Sequence, residues 1–202
     1  MRATALAFLV MAAVLAATPA EVGHTTKVIR AAELLRGKST TPLKENEAVA
    51  ENDRLRTQSS GRVRVVLNDG SILNVGSSSM LTIRGDSEIS RSGSLEMAYG
   101  RLRAMINSNS KEGRPYEVRT ATAVCGVLGT TLFVDSSRDL TRIANLSEDP
   151  NSRVRVTGIR AAGEVILMPG QGTSVPAARA PQPPRRWSPE EIRAANADTD
   201  LP

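Results

Sequence analysis

Between residues 62 and 76 the apolar positions recur every second residue. Val63, Val65 and Leu67 share one parity and Arg62 and Arg64 the other; after Asn68-Asp69-Gly70-Ser71 comes the run Ile72, Leu73, Asn74, Val75. A period of two puts alternate side chains on one face of a strand, so this stretch predicts two strands around a glycine-containing turn. The faces select the loop length. A two-residue loop, Asp69-Gly70, pairs Val65 with Asn74 and sets a polar residue on the apolar face. A three-residue loop pairs Val65 with Leu73 and Val63 with Val75. Burial of one face fixes register, so the pattern predicts a type I turn closed by a bulge, with Gly70 at positive φ.

Short runs of the same kind follow at regular intervals. They are Leu81 and Ile83, Leu95 to Tyr99, Arg101 to Ile106 (set off from its predecessor by a break at Gly100), Tyr116 and Val118, and Ala121 to Val127. Gly129-Thr130-Thr131 leads into Leu132, Phe133 and Val134; later come Val154 with Val156, and Val165 to Leu167 before Pro169-Gly170-Gln171-Gly172. Arg84 to Gly93 and Asn107 to Arg114 read as polar loops, and Asp135 to Ser152 as a polar segment of low strand density. Many short strands separated by turn signals predict an all-β fold. It is a single domain of short, mostly antiparallel strands, a sandwich or roll or else a short β-solenoid. The organisation expected is a lead-in over 21–52, including a loop from Lys44 to Asn52, a β domain over 53–175, and a flexible Ala/Pro/Arg-rich tail over 176–202. Within the tail, Ser188-Pro189-Glu190-Glu191 has the form of an N-cap, a proline at the first helical position and a closing glutamate. It predicts a short helix over 189–197, with Trp187 and Ile192 at the staple positions as candidates for docking. So short a helix is marginal alone, and truncation at Pro176 is expected to leave the domain folded.

The first twenty residues change the picture. Arg2 precedes an apolar run, Ala5 to Leu15, too short to span a bilayer, and Thr18-Pro19-Ala20 supplies small residues for cleavage near Ala20. This predicts a signal peptide over 1–20 and a periplasmic or secreted protein. No later run is long and apolar enough to cross a membrane as a helix. The formal net charge of +5 becomes +4 once Arg2 is removed. Basic residues are interleaved with acids, and aromatics make up only 2% of the chain, so nucleic acid, which needs a clustered basic face with stacking rings, is not the expected partner. One cysteine (Cys125) and one histidine (His24) exclude an intrachain disulfide and argue against zinc sites and Cys/His dyads.

From Asp53 onward the chain resembles the FecR domain family. Asp53-Arg54-Leu55-Arg56-Thr57 is similar to the family's opening "gd.l.T", Leu67-Asn68-Asp69-Gly70-Ser71 with Leu73 and Val75 to its "l.dGs.l.l" hairpin, and Leu95 to Leu102 to its "l..G.l" segment. Tyr116-Glu117-Val118-Arg119-Thr120 with Gly126-Val127-Leu128-Gly129-Thr130 resembles "f.v.Tp…gv.GT.f.v", although Ala121 stands where a proline is usual; Leu167-Met168-Pro169-Gly170-Gln171 resembles the closing "l.pGq". The resemblance implies an exported regulatory module. The family's named member couples an outer-membrane signal to a cytoplasmic sigma factor through a membrane helix. A cleavable leader implies instead a stand-alone exported module.

Asp69, Gly70, Gly100, Gly129, Thr130 and Gly170 are the motif positions singled out, read as turn geometry rather than as a ligand site. Cys125, among Ala123, Val124 and Val127, reads as a buried small hydrophobe. Asp69, Glu96 and Glu117 form no pair spaced for acid–base chemistry. The expectation is a non-enzymatic envelope binding, scaffold or sensor module with no cofactor or metal, taking an envelope protein or an anionic cell-wall polymer. The alternative is a soluble periplasmic regulator of a transmembrane anti-sigma partner.

Overall fold

The hairpin read from the alternation is the seed of the architecture. In the computed structural model, β6 (Arg62–Leu67) and β7 (Ile72–Val75) pair with Val63 opposite Val75 and Val65 opposite Leu73. Gly70 has φ 84°. Its N–H donates to the Leu67 carbonyl at 2.9 Å, and the Leu67 N–H donates to Ser71 O, also at 2.9 Å. The structure describes residues 19–84, 93–107 and 116–201. The leader, except for its last two residues, and most of the two polar loops read at 84–93 and 107–114 therefore lie outside the described residues.

β7 lies beside β9 (Ser94–Met105), a 12-residue strand that organises the whole molecule. Its first half pairs with β8 (Met80–Arg84) and, in parallel, with β10 (Tyr116–Arg119). Its second half pairs with β7 and with β12 (Thr131–Ser136). Leu95 and Met97 are buried before the midpoint, Leu102 and Ala104 after it. That change of parity needs a bulge, and the pairing with β8 passes over Ala98. Gly100, at φ 97°, absorbs the bend; a Cβ there would run into Ser79, whose hydroxyl accepts from the Arg101 N–H at 2.9 Å. The break expected at Gly100 is thus corrected to a bend in one continuous strand.

Two layers grow outward from β9. The first runs β4 (Ala48–Ala50), β1 (Glu21–Ile29), β6, β7, β9, β12, β13 (Leu140–Asn145), β16 (Gln171–Pro176), β17 (Arg185–Arg186). The second runs β3 (Ser39–Pro42), β2 (Ala32–Arg36), β5 (Arg54–Thr57), β8, β9, β10, β11 (Ala123–Val127), β14 (Val154–Gly158), β15 (Glu164–Leu167). Among the described residues, hydrogen bonds link 17 strands into one sheet, folded over at β9. Leu55, Leu81 and Leu95 of the second layer share a single buried cluster with Val63, Leu73 and Leu132 of the first. The molecule is therefore all-β and layered, and the chain crosses between layers every one or two strands as it advances.

Three expectations are corrected. The lead-in over 21–52 is four strands: β1 pairs with β6 and β2 with β5. Polar residues hid them: β3 is exposed throughout, and in β1 the one fully buried polar side chain is Thr25. Thr25 is inaccessible, its hydroxyl 2.5 Å from Lys44 O and 2.9 Å from the Glu47 N–H. The polar segment 135–152 contains β13, in which Thr141 and Asn145 are fully buried beside Ile143 and Ala144. The tail is no loose appendage: β17 pairs with β16, and helix α1 (Pro189–Thr199), two residues longer than expected, packs against the outside of the first layer.

Candidate functional site

Turns place most of the motif residues at one end of the sandwich. Asp69 and Gly70 lie in the β6–β7 turn, Gly129 and Thr130 in the β11–β12 turn. Gly70, Gly129 and Thr130 line a pocket of about 290 Å³ with Ile72, Met105, Asn107 and Ser147. Gly170, in the β15–β16 turn, lines an adjoining cavity of about 390 Å³ with Met105, Leu146 and Ile192. Gly100 stands apart at the bend. The polar groups here are engaged in structure. The Asp69 carboxylate accepts from the Ser71 N–H at 2.8 Å and hydroxyl at 3.0 Å. Thr130 Oγ1 bonds Asn145 Oδ1 at 3.1 Å and also Ser152 Oγ, while Asn145 Nδ2 reaches Leu167 O at 3.2 Å. Three turns are stapled together by this buried set. Thr120, Thr122 and Thr141 make a second one, with Thr122 Oγ1 donating to Val175 O at 2.8 Å. Cys125 is buried, and desolvation pushes its thiol up to about 12, far from a reactive thiolate.

The outer face of the first layer has a different character. Cross-strand register sets Arg64 beside Asn74, Asn74 beside Arg103, Arg103 beside Phe133, Phe133 beside Ala144, and Ala144 beside Gly172. One row therefore passes from basic to apolar to bare backbone. Along β6, β7, the second half of β9, β12 and β13 the charged residues are Arg62, Arg64, Arg101, Arg103 and Arg142 against a single acid, Asp135. Asp135 engages Arg142 at 2.5 Å and lies 3.9 Å from Arg101.

The tail covers this row. The Trp187 ring meets Phe133 edge-on, centroids 5.8 Å apart, and would collide with any Cβ at Gly172. Phe133, Ala144, Trp187 and Ala195 form a buried cluster of their own, with Ile192 and Leu146 at its margin. Local chemistry starts the helix where Trp187 leaves it. Ser188 Oγ accepts from the Glu191 N–H at 3.3 Å, and the Ser188 N–H donates to Glu191 Oε2 at 2.9 Å. Arg185 grips the same carboxylate at 2.5 and 2.9 Å. That pair, with the Ser188 N–H, holds Glu191 down to about 2. At the other end Arg103 bonds Asn196 Oδ1 at 3.0 Å and pairs with Asp200, Arg101 lies 3.3 Å from Asp198, and Arg64 donates to Leu201 O at 2.9 Å. Sequence reasoning offered Trp187 and Ile192 for docking but missed the arginines, which lie on separate strands and meet only through register.

Comparison with known proteins bears on the part beneath the helix. Residues 53–149 match the family described as FecR protein. These residues are a FecR domain. It opens at Asp53, contains the hairpin, the bend at Gly100 and the Gly129-Thr130 turn, and ends beyond β13. All five arginines of the outer face belong to the FecR domain, whereas α1 lies outside it. Two crystal structures of a candidate anti-sigma factor from Parabacteroides distasonis ATCC 8503 share the fold, each with a TM-score of 0.57 and 18% identity over 70% of this chain. The chain covers 63% and 62% of those two chains, less than two thirds of their length. No protein with a curated description matches.

Proposed function

We propose that this chain is a non-catalytic binding module of the cell envelope, exported by its N-terminal leader, that serves as a sensor or regulator in signalling. The observation that carries the reading is the FecR domain over 53–149. The polar side chains of its turns support it, since Asp69 and Thr130 are committed to holding the scaffold rather than directed at a substrate. A second reading, a soluble regulator acting on a transmembrane anti-sigma partner, is favoured by the shared fold with the candidate anti-sigma factor.

The test is in the cell. A tagged chain is crosslinked in its native bacterium and recovered from membrane, wall and cytosolic fractions. Recovery in the envelope, cut near Ala20 and joined to a wall polymer or envelope protein, supports the first reading. Recovery joined to a transmembrane anti-sigma protein supports the second. Cytosolic protein that still carries Met1 contradicts both.

A further inference from the structure

We propose that the arginine-lined outer face of the first layer is a docking face for an acidic, helix-forming segment of a partner protein, and that α1 occupies it as an internal stand-in until such a segment displaces it. This deepens the binding role proposed above and rests on it for the existence of a partner.

Three observations show that α1 fits the face incompletely. The helix contributes only Ala195 and Thr199 as buried side chains, so its own apolar grip is small. It has no basic residue in its last turn; Asp198 and Asp200 stand there instead, opposed to the helix dipole and drawn by Arg101 and Arg103. The contact leaves needs unmet beneath it. Among the described residues, Arg103 Nε and Asn74 Nδ2 are buried donors without a hydrogen-bond partner, and buried donors left unpaired cost free energy. Beside them, between α1 and the sheet end, lies the cavity of about 390 Å³, where Met105, Leu146 and Ile192 form the apolar part of a wall that also holds Arg103, Glu148 and Asn196. A segment with more carboxylates and a larger apolar side chain at the Ile192 position, which lines the cavity, would satisfy the donors and fill the space.

Charge complementarity commits the occupant to acidic chemistry, and the apolar half of the row, Phe133 and Ala144, commits it to a protein segment with hydrophobic side chains. A polyanion alone would leave Phe133 and Ala144 uncovered once Trp187 lifts away together with α1.

The experiment exchanges the stand-in with itself. A fluorescein-labelled synthetic peptide of residues 185–201 is titrated into the unaltered full chain and into the full chain carrying Asp198→Asn and Asp200→Asn, which loosens the latch. Circular dichroism checks that the β fold is kept. The variant is expected to bind the peptide at least ten-fold more tightly than the unaltered chain, with affinity falling as salt rises and with Arg103→Gln added to the variant abolishing the gain. Absence of saturable binding to the variant overturns the proposal, as does a scrambled peptide binding equally well. Unchanged protease protection of the tail in the variant overturns it too, because the acids would then not be what holds the helix. Poly-L-glutamate matching the peptide would transfer the face to an anionic polymer, and a concentration-dependent dimer of the unaltered chain would make a second copy the occupant. Neither result depends on finding an envelope partner, so failure here is separable from failure of the proposed function.

Discussion

The carboxylate of Asp53 is wholly buried and accepts from three donors: Arg36 Nε at 2.8 Å, Arg36 Nη2 at 2.6 Å and the Ala50 N–H at 2.8 Å. It ties β2 and the end of β4 to the start of the FecR domain. Asp53→Ala leaves the Ala50 N–H unpaired and frees Arg36, so a loss of about 2–4 kcal/mol is expected in urea unfolding. Gly70 sits at φ 84° with Asn107 Nδ2 near the position a Cβ would take. Gly70→Val should cost about 1–2 kcal/mol through left-handed strain, again read from the urea midpoint. The first residue was opaque in the sequence, since nothing local to Asp53 announces Arg36. The second was legible, because the alternation on both sides of the turn leaves only one register that buries Val63, Val65, Leu73 and Val75 together.

At the scale of elements, strands that alternate strictly were readable and strands that bury polar groups were not. β6 and β7 announce themselves. β1 carries His24, Thr25, Thr26 and Lys27 in succession, and β13 buries Thr141 and Asn145, so neither reads as a core strand until the hydrogen bonds of Thr25, Thr141 and Asn145 are known. The tail helix shows both sides. Its capping box was plain in Ser188 to Glu191, but its docking depends on Phe133 and Gly172, which only folding brings to Trp187. Two expectations belong here. Truncation at Pro176 should leave the main core folded but lower Tm by roughly 4–12 °C, from about 2–3 kcal/mol of lost Trp187 burial. Acidification should loosen the helix start. Glu191 is held below its ordinary 4.5, at about 2, so its contribution is complete above 4.5 and fades as pH falls through about 2. The red shift of Trp187 emission over that window should be smaller in Glu191→Gln, which has already lost the pairing with Arg185.

The described residues form a folded-over sheet with two apolar clusters of unequal size. The larger lies between the layers; the smaller lies under the tail, outside the FecR domain's inner faces. The all-β class and the mostly antiparallel pairing follow from periodicity and turn residues. The two-layer arrangement depends on the bend of β9 at Gly100, where a twelve-residue strand serves both layers, and this was not visible in a glycine that reads equally well as a break. The arginine face likewise exists only after the strands are aligned. The C-terminal helix rests on that face in the native protein. Hydrogen exchange of the full chain at neutral pH tests it directly. The amides of 193–199 should be protected well beyond free-peptide rates and lose that protection in Trp187→Ala while β9 and β12 keep theirs; free-peptide exchange of 193–199 in the unaltered chain would contradict the account.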